Sequence, residues 1–98
     1  MIAQDENYVV SKTWVRRKHC FSSIIDDSCV VLNSQTGEYL TLNKTAAEIW
    51  EALEFALSVG ELTEILVEKF DVSPEKCEAD VIELIGSLSS AQLIYAIE

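Results

Sequence analysis

The sequence is poor in the residues that most enzymes use for catalysis. Its 98 residues include a single histidine, His19, so a Ser/His/Asp or Cys/His set would depend on a residue beside a predicted strand. The three glycines are isolated, so the chain has no glycine-rich phosphate loop. The carboxylate pairs Asp26 with Asp27 and Glu78 with Asp80 fit a turn and a solvated helix face better than general acid–base catalysis. We therefore expect a binding protein and not an enzyme.

Cysteine is also scarce. Cys20, Cys29 and Cys77 are odd in number, widely spaced and without a C-x-x-C pair, which indicates free thiols in a reducing compartment. His19, Cys20 and Cys29 could meet across a hairpin to hold a metal ion, but they lack a spacing motif and a fourth ligand. We expect no disulfide, no metal and no cofactor.

Long apolar runs and basic clusters are missing too. No run approaches the roughly 18 apolar residues of a spanning helix, and the polar start lacks a signal-peptide centre, so we expect a soluble, cytoplasmic protein. The net charge is -10, and residues 44–98 carry three bases against twelve acids. The one basic cluster, Arg16 to Lys18, is interpreted as a solvated edge, with a partner contact as the alternative. Neither nucleic acid nor an anionic membrane is an expected partner.

The first half of the chain has the pattern of β-strands. A β-rich run from His19 to Ile25 leads into the polar turn "DDS", and "CVVLN" and "EYLTLN" follow on either side of the turn "NSQTG". The pattern predicts a three-stranded antiparallel meander, with Tyr39 and Thr41 on one face of its last strand. Residues 1–18 are expected to be an arm, or a strand extension through "YVV", ahead of a domain over residues 19–98.

The second half has three helix start signals. These are Thr45 with Glu48 as a capping box, or Asn43 as a competing cap, then Ser58 with Glu61, and then Ser73 followed by Pro74. Helical spacing after each start predicts three buried faces: Ala46, Ile49, Trp50 and Leu53; Leu62, Ile65, Leu66 and Phe70; and Cys77, Val81, Leu84, Ile85 and Leu88. The end "QLIYAI" is expected to form a short strand or a packed tail.

The junction "VVLNSQTGEYLTLNKTAAEIWEAL" and the later "ELTEILVEKFDVSPEKCEADVIELIGSL" resemble the PqqD-like family, also called precursor-peptide recognition elements. The resemblance covers about residues 19–95 and is closest to the stand-alone recognition subunit of a split lasso-peptide B protein. It departs from the family at "EFALSVGEL", between the first two helices. It implies an α+β, winged helix-turn-helix-like fold in which an N-terminal three-stranded antiparallel sheet precedes three helices.

The resemblance also implies a function. Family members bind the leader segment of a ribosomally made peptide without catalysing a reaction, and the leader adds as a strand beside the third strand and against the third helix. An open sheet edge suits this mode because its amides and carbonyls lack partners. The implied peptide-binding residues are the strand Glu38, Tyr39, Leu40, Thr41 and Leu42 and the cleft wall Val81, Leu84, Ile85 and Leu88. Each cleft-wall residue has plain core as its alternative.

The implied partners are a precursor peptide and the enzymes that modify it. A lasso-peptide pathway would supply a leader peptidase and a cyclase, whereas a PqqD-type chaperone would deliver its peptide to a radical SAM enzyme. Glu78, Asp80 and Glu83 on the third helix predict a peptide with Lys or Arg beside its apolar anchors. Their charge argues against a winged-helix DNA-binding regulator, the main rival from another class. The oligomeric state is left open.

Overall fold

The computed structural model describes residues 6–26 and 28–97. In chain order its elements are α1 (Glu6–Ser11), β1 (Thr13–Arg16), β2 (Cys20–Ile25), β3 (Ser28–Asn33), β4 (Tyr39–Leu42), α2 (Lys44–Ala52), β5 (Leu57–Ser58), α3 (Val59–Lys69), α4 (Pro74–Ser90) and β6 (Ile94–Ile97). The α+β class and the order of three strands followed by three longer helices are confirmed. The winged-helix description stays a prediction.

The predicted meander is the antiparallel sheet β2-β3-β4. Its last strand alternates as expected, because Leu42 is buried and Tyr39 and Thr41 are exposed. The turn before that strand needs Gly37, which has φ 81° and donates its amide to the Asn33 carbonyl over 2.8 Å. Asp27, half of the predicted "DDS" turn, lies outside the described residues, as do residues 1–5 of the expected arm.

A second sheet, β5-β1-β6, joins the two ends of the described chain. Thr13 of β1 lies opposite Ile97 of β6, which confirms a strand in "QLIYAI". The expected strand extension through "YVV" is wrong, because these residues lie in α1. There Val9 is buried and its carbonyl accepts a hydrogen bond from Trp14 Nε1 over 3.0 Å. The core therefore contains residues from both sides of the predicted boundary at residue 19.

Helix α2 begins at the competing cap and not at the predicted box. Asn43 Oδ1 accepts from the Ala46 amide over 2.8 Å, so the capping box of Thr45 and Glu48 is wrong. Glu48 instead accepts from Lys69 Nζ at 2.8 Å, a contact that links α2 to the end of α3. Asn43 has the extended backbone of an N-cap residue, with φ -76° and ψ -178°, whereas Thr45 already lies inside the helix that begins at Lys44.

The other two helix starts are confirmed. Ser58 and Glu61 form a reciprocal capping box on α3, and Ser73 caps α4 ahead of Pro74. The buried face of α3 is Val59, Leu62, Thr63 and Leu66. This stripe leaves Ile65 at 37% exposed, so its predicted burial is wrong. Helix α3 packs on α4 while α2 covers β3 and β4, and the core lies between the helices and the two sheets.

Candidate functional site

Strand β4 is an open edge of the meander. Within residues 6–26 and 28–97, it pairs with β3 on one side and with no strand on the other. The Asn33 amide donates to the Glu38 carbonyl over 2.8 Å, so hydrogen-bonded pairs alternate along the ladder from that point. Leu40 and Leu42 therefore bond inward to β3, and the N–H and C=O groups of Tyr39 and Thr41 point outward. Two residues offer backbone donors and acceptors to an added strand.

A cavity of about 630 Å³ lies beside this edge. It is lined by residues of α1, the β4 segment and the last turns of α4: Glu6, Val9, Glu38, Leu40, Ile82, Glu83, Gly86, Ser87, Ser90 and Ala91. The α4 residues Ile82, Gly86 and Ser90 repeat every four positions and so form one stripe of the helix. Because two of these three side chains are small, the helix leaves room between itself and the strand.

A second cavity, of about 510 Å³, continues along α4 toward its N-terminus. It is lined by the start of α2, the end of α3 and the first turns of α4: Asn43, Thr45, Ala46, Ile49, Leu66, Phe70, Val72, Lys76, Cys77, Asp80, Glu83, Leu84 and Ser87. Glu83 and Ser87 line both cavities, so we treat them as halves of one β4–α4 groove. The half at β4 is called the edge half and the half between the helices the apolar well.

The apolar well has a hydrophobic floor and an acidic rim. Ile49, Leu66 and Cys77 are buried in its floor. Asp80 and Glu83 are at the rim, where Lys76 Nζ lies 3.8 Å from Asp80 Oδ2 in an exposed pair that contributes little energy. Burial raises the pKa of the Cys77 thiol, and the Asp80 charge raises it further, so the thiolate is disfavoured. The well is suited to holding an apolar side chain.

The structure places the predicted site residues in two groups. Glu38 and Leu40 line the edge half, and Tyr39 and Thr41 are exposed beside it. The side chain of Leu42 is buried on the core-facing side of the sheet. On α4, Leu84 lines the apolar well. The other three predicted wall residues, Val81, Ile85 and Leu88, have 0% exposure and line neither half of the groove.

Sequence reasoning missed the α4 stripe that does face β4, which contains Ile82, Gly86 and Ser90. The apolar pattern selected the most hydrophobic stripe, and that stripe faces the core. The useful signal was the neighbouring run of small residues, because a helix face of Gly and Ser leaves space for another chain.

The other candidate residues that the structure describes are not grouped into a metal site. No group of three potential metal ligands occurs in the described parts of the chain, and all three cysteines are free. Burial raises the pKa of the Cys29 thiol, with a smaller contribution from Glu51. In the basic cluster, the guanidinium carbons of Arg16 and Arg17 each lie 5.3 Å from an aromatic ring centre, of Trp50 and Tyr95 respectively. Of the helices described, none is long and apolar enough to cross a bilayer.

Comparison with known proteins adds a family and a set of similar structures. Residues 28–94 match the family model described as Coenzyme PQQ synthesis protein D (PqqD). A structure described as "TbiB1 in Complex with the TbiA(beta) Leader Peptide" matches with a TM-score of 0.73 and 25% identity, over 86% of this chain and 98% of that chain. A "Lasso peptide synthetase B1 complexed with the leader peptide" matches with a TM-score of 0.70 and 27% identity, over 84% of this chain and 96% of that chain.

A third similar structure shares the fold at lower identity. It is the solution structure of the PqqD truncation of Methylobacterium extorquens PqqCD, described as a stand-alone RiPP recognition element. The TM-score is 0.73 and the identity 16%, over 88% of this chain and 92% of that chain. No curated protein matches the chain in sequence.

Proposed function

Because the chain belongs to the PqqD family, we propose that it binds the leader segment of a ribosomally synthesised precursor peptide and presents that peptide to modifying enzymes. The observation that carries the proposal is the open edge of β4 beside the β4–α4 groove. The TbiB1 and lasso peptide synthetase B1 structures that it resembles are complexes with leader peptides, which supports the same role here.

In this proposal the leader pairs with β4 through the outward backbone groups of Tyr39 and Thr41. Each backbone hydrogen bond contributes about 0.5–1.5 kcal/mol net for any peptide sequence, so the edge gives affinity without selectivity. Selectivity then comes from the groove, where burying one Leu-sized side chain contributes about 1.5–3 kcal/mol. We assign that contact to the apolar well, with Leu84 in its wall.

The proposed wall differs from the sequence-based assignment at three positions. The side chains of Val81, Ile85 and Leu88 are fully buried, so they cannot contact a peptide and instead support the wall from within the core. Ile82 and Gly86 take their place beside Leu40 in the edge half. Residues Glu38 to Leu42 remain the proposed strand for peptide binding, and the backbone groups of Tyr39 and Thr41 are the ones proposed to bond to the leader.

Proline substitutions at the two open edges test the binding mode. Thr41→Pro removes an outward amide from β4, and Ser22→Pro removes an outward amide from β2, at the opposite edge of the same sheet. Calorimetric titration with candidate leaders is expected to show lost affinity for Thr41→Pro and wild-type affinity for Ser22→Pro. Equal affinity in both variants, with native circular dichroism spectra, would contradict pairing at β4. Leu40→Pro is a poorer test because its amide bonds inward and its loss would weaken the protein itself.

We propose that the protein has no catalytic activity and acts through partner enzymes. The resemblance to a lasso peptide synthetase B1 favours a separate leader peptidase and a cyclase as partners, and a radical SAM enzyme is the alternative. Leader cleavage by the peptidase is expected to require this protein. Cleavage at the same rate without it would contradict the lasso assignment.

A further inference from the structure

The other edge of the meander, strand β2, is also open. In the part of the chain that the structure describes, β2 pairs with β3 and its outer side has no partner strand. The Ser34 amide donates to the His19 carbonyl over 3.2 Å, so alternate residues from that point bond to β3. Phe21, Ser23 and Ile25 therefore bond inward, and the backbone groups of Ser22 and Ile24 point outward.

Strand β2 lacks the features that usually protect an open edge. Natural edges carry charges, proline or bulges that prevent pairing with another chain, but Cys20–Ile25 contains no charged residue and no proline. Three of its apolar side chains are largely exposed: Phe21 at 61%, Ile24 at 70% and Ile25 at 58%. An unprotected, apolar edge of six residues is suited to pairing with a second strand.

We propose that β2 pairs antiparallel with β2 of a second copy of this chain, about a two-fold axis at Ser23. Because this axis is perpendicular to the sheet, the outer face of one copy continues into the outer face of the other. Each β2 residue therefore lies opposite a partner residue whose side chain is on the same face of the sheet. With Ser23 on the axis, the outward groups of Ser22 meet those of the partner's Ile24. On the outer face, Phe21 lies opposite the partner's Ile25 and extends the apolar pair that Phe21 makes with Leu32.

The distribution of charge favours a second copy as the occupant. Residues 44–98 carry a net charge of -9 and residues 1–43 only -1, so β2 belongs to the half of the chain that repels a second copy least. Lys18 precedes the strand and Asp26 follows it, so antiparallel pairing brings the basic end of each copy toward the acidic end of the other. The two β4 edges stay at the outside of the resulting six-stranded sheet, and both grooves stay open.

Sedimentation velocity across a wide range of protein concentration tests the proposal. The wild-type chain is expected to shift from monomer to dimer as concentration rises. Ile24→Pro removes an outward amide and is expected to stay monomeric with a native circular dichroism spectrum. Phe55→Ser is the matched control, because Phe55 is 68% exposed but lies outside both sheets, and it is expected to dimerise as the wild type does. A monomeric wild type at the highest concentration, or an Ile24→Pro dimer, would overturn the proposal.

A cysteine cross-link tests the register. Ser23 and its symmetry mate would form a non-hydrogen-bonded pair with Cα atoms about 4.5 Å apart, within the range that a disulfide spans. Ser23→Cys is expected to give a disulfide-linked dimer on mild oxidation, well above the wild-type background from native cysteines. Ser34→Cys, an exposed position in the β3–β4 turn, is the control. Cross-linking of Ser23→Cys no greater than that of Ser34→Cys would rule out this pairing.

Discussion

At the scale of single residues, Asn33 connects parts of the chain that are far apart in sequence. Its side chain is 1% exposed, and its Nδ2 donates to the Gln92 carbonyl over 2.6 Å. Its Oδ1 accepts from the amides of Gln35 and Thr36. One amide group thus holds both the turn that sets the start of β4 and the residue Gln92, which has φ 59°. From the sequence, Asn33 could be predicted only as a turn residue. Its contact with Gln92 could not be predicted, because the two residues are 59 positions apart.

Asn33→Ala is expected to lower the free energy of unfolding by about 2 kcal/mol, because it removes the three hydrogen bonds that the buried Asn33 amide group makes to Gln35, Thr36 and Gln92. Urea denaturation at low protein concentration measures the change. Ser34→Ala is the control, since it removes one exposed hydrogen bond, to the His19 carbonyl, and should lower the free energy by less than about 1 kcal/mol. Equal losses in the two variants would show that the buried network is not the cause.

At the scale of elements, α4 serves two purposes on adjacent stripes. Val81 and Ile85 belong to the stripe that closes the core, and Ile82 and Gly86 belong to the stripe that faces β4. A Cβ atom added at Gly86 would meet no atom within 4 Å, so this glycine is not needed for packing and instead leaves the groove wide. A larger side chain at this position should fill the groove without disturbing the core.

Gly86→Leu is expected to weaken leader binding at least about tenfold, or about 1.4 kcal/mol, because its side chain would fill the edge half, where the leader strand must lie to pair with β4. The free energy of unfolding should not fall, since Leu favours a helix interior over Gly by roughly 0.8–1 kcal/mol. Titration calorimetry and urea denaturation measure the two effects. Gly60→Leu, on the exposed start of α3 and outside the groove, is the matched control and should bind leader normally. Unchanged affinity in Gly86→Leu would exclude the edge half as the peptide site.

The helix caps, the second sheet and the stripes of α4 show how far the sequence can predict this fold. Caps such as Ser58 and Ser73 depend on neighbours within three residues, and the sequence located them correctly. The sheet β5-β1-β6 depends on Thr13 meeting Ile97, and a two-residue strand leaves no periodic pattern. Helix spacing predicted that α4 has a buried stripe, but which neighbouring stripe borders a groove depends on where β4 and α1 lie. That placement is set by long-range packing.

At the scale of the whole molecule, the net charge of -10 should affect how fast a peptide arrives. Acidic side chains surround the groove at Glu6, Glu38, Asp80 and Glu83, with Lys76 as the base among the lining residues. Such a field accelerates association of a basic partner and is screened by salt over about 8 Å at physiological ionic strength. The steering is a property of the summed charges more than of any one pair.

Leaders that carry Lys or Arg are therefore expected to associate more slowly as salt rises. Versions with those bases neutralised should associate more slowly at low salt and lose most of the salt dependence. Stopped-flow association kinetics measure both effects. The same rate and salt dependence for native and neutralised leaders would contradict electrostatic steering by the groove.

Hydrogen exchange at single amides tests the central claim, that a leader adds to the edge of β4. In the free protein the Tyr39 and Thr41 amides should exchange quickly and the Leu40 and Leu42 amides slowly, because the first two point away from β3. Addition of a saturating leader peptide is predicted to slow exchange at Tyr39 and Thr41 while the β2 amides keep their rates. Unchanged exchange at Tyr39 and Thr41, or new protection at Ser22 and Ile24 instead, would contradict the account.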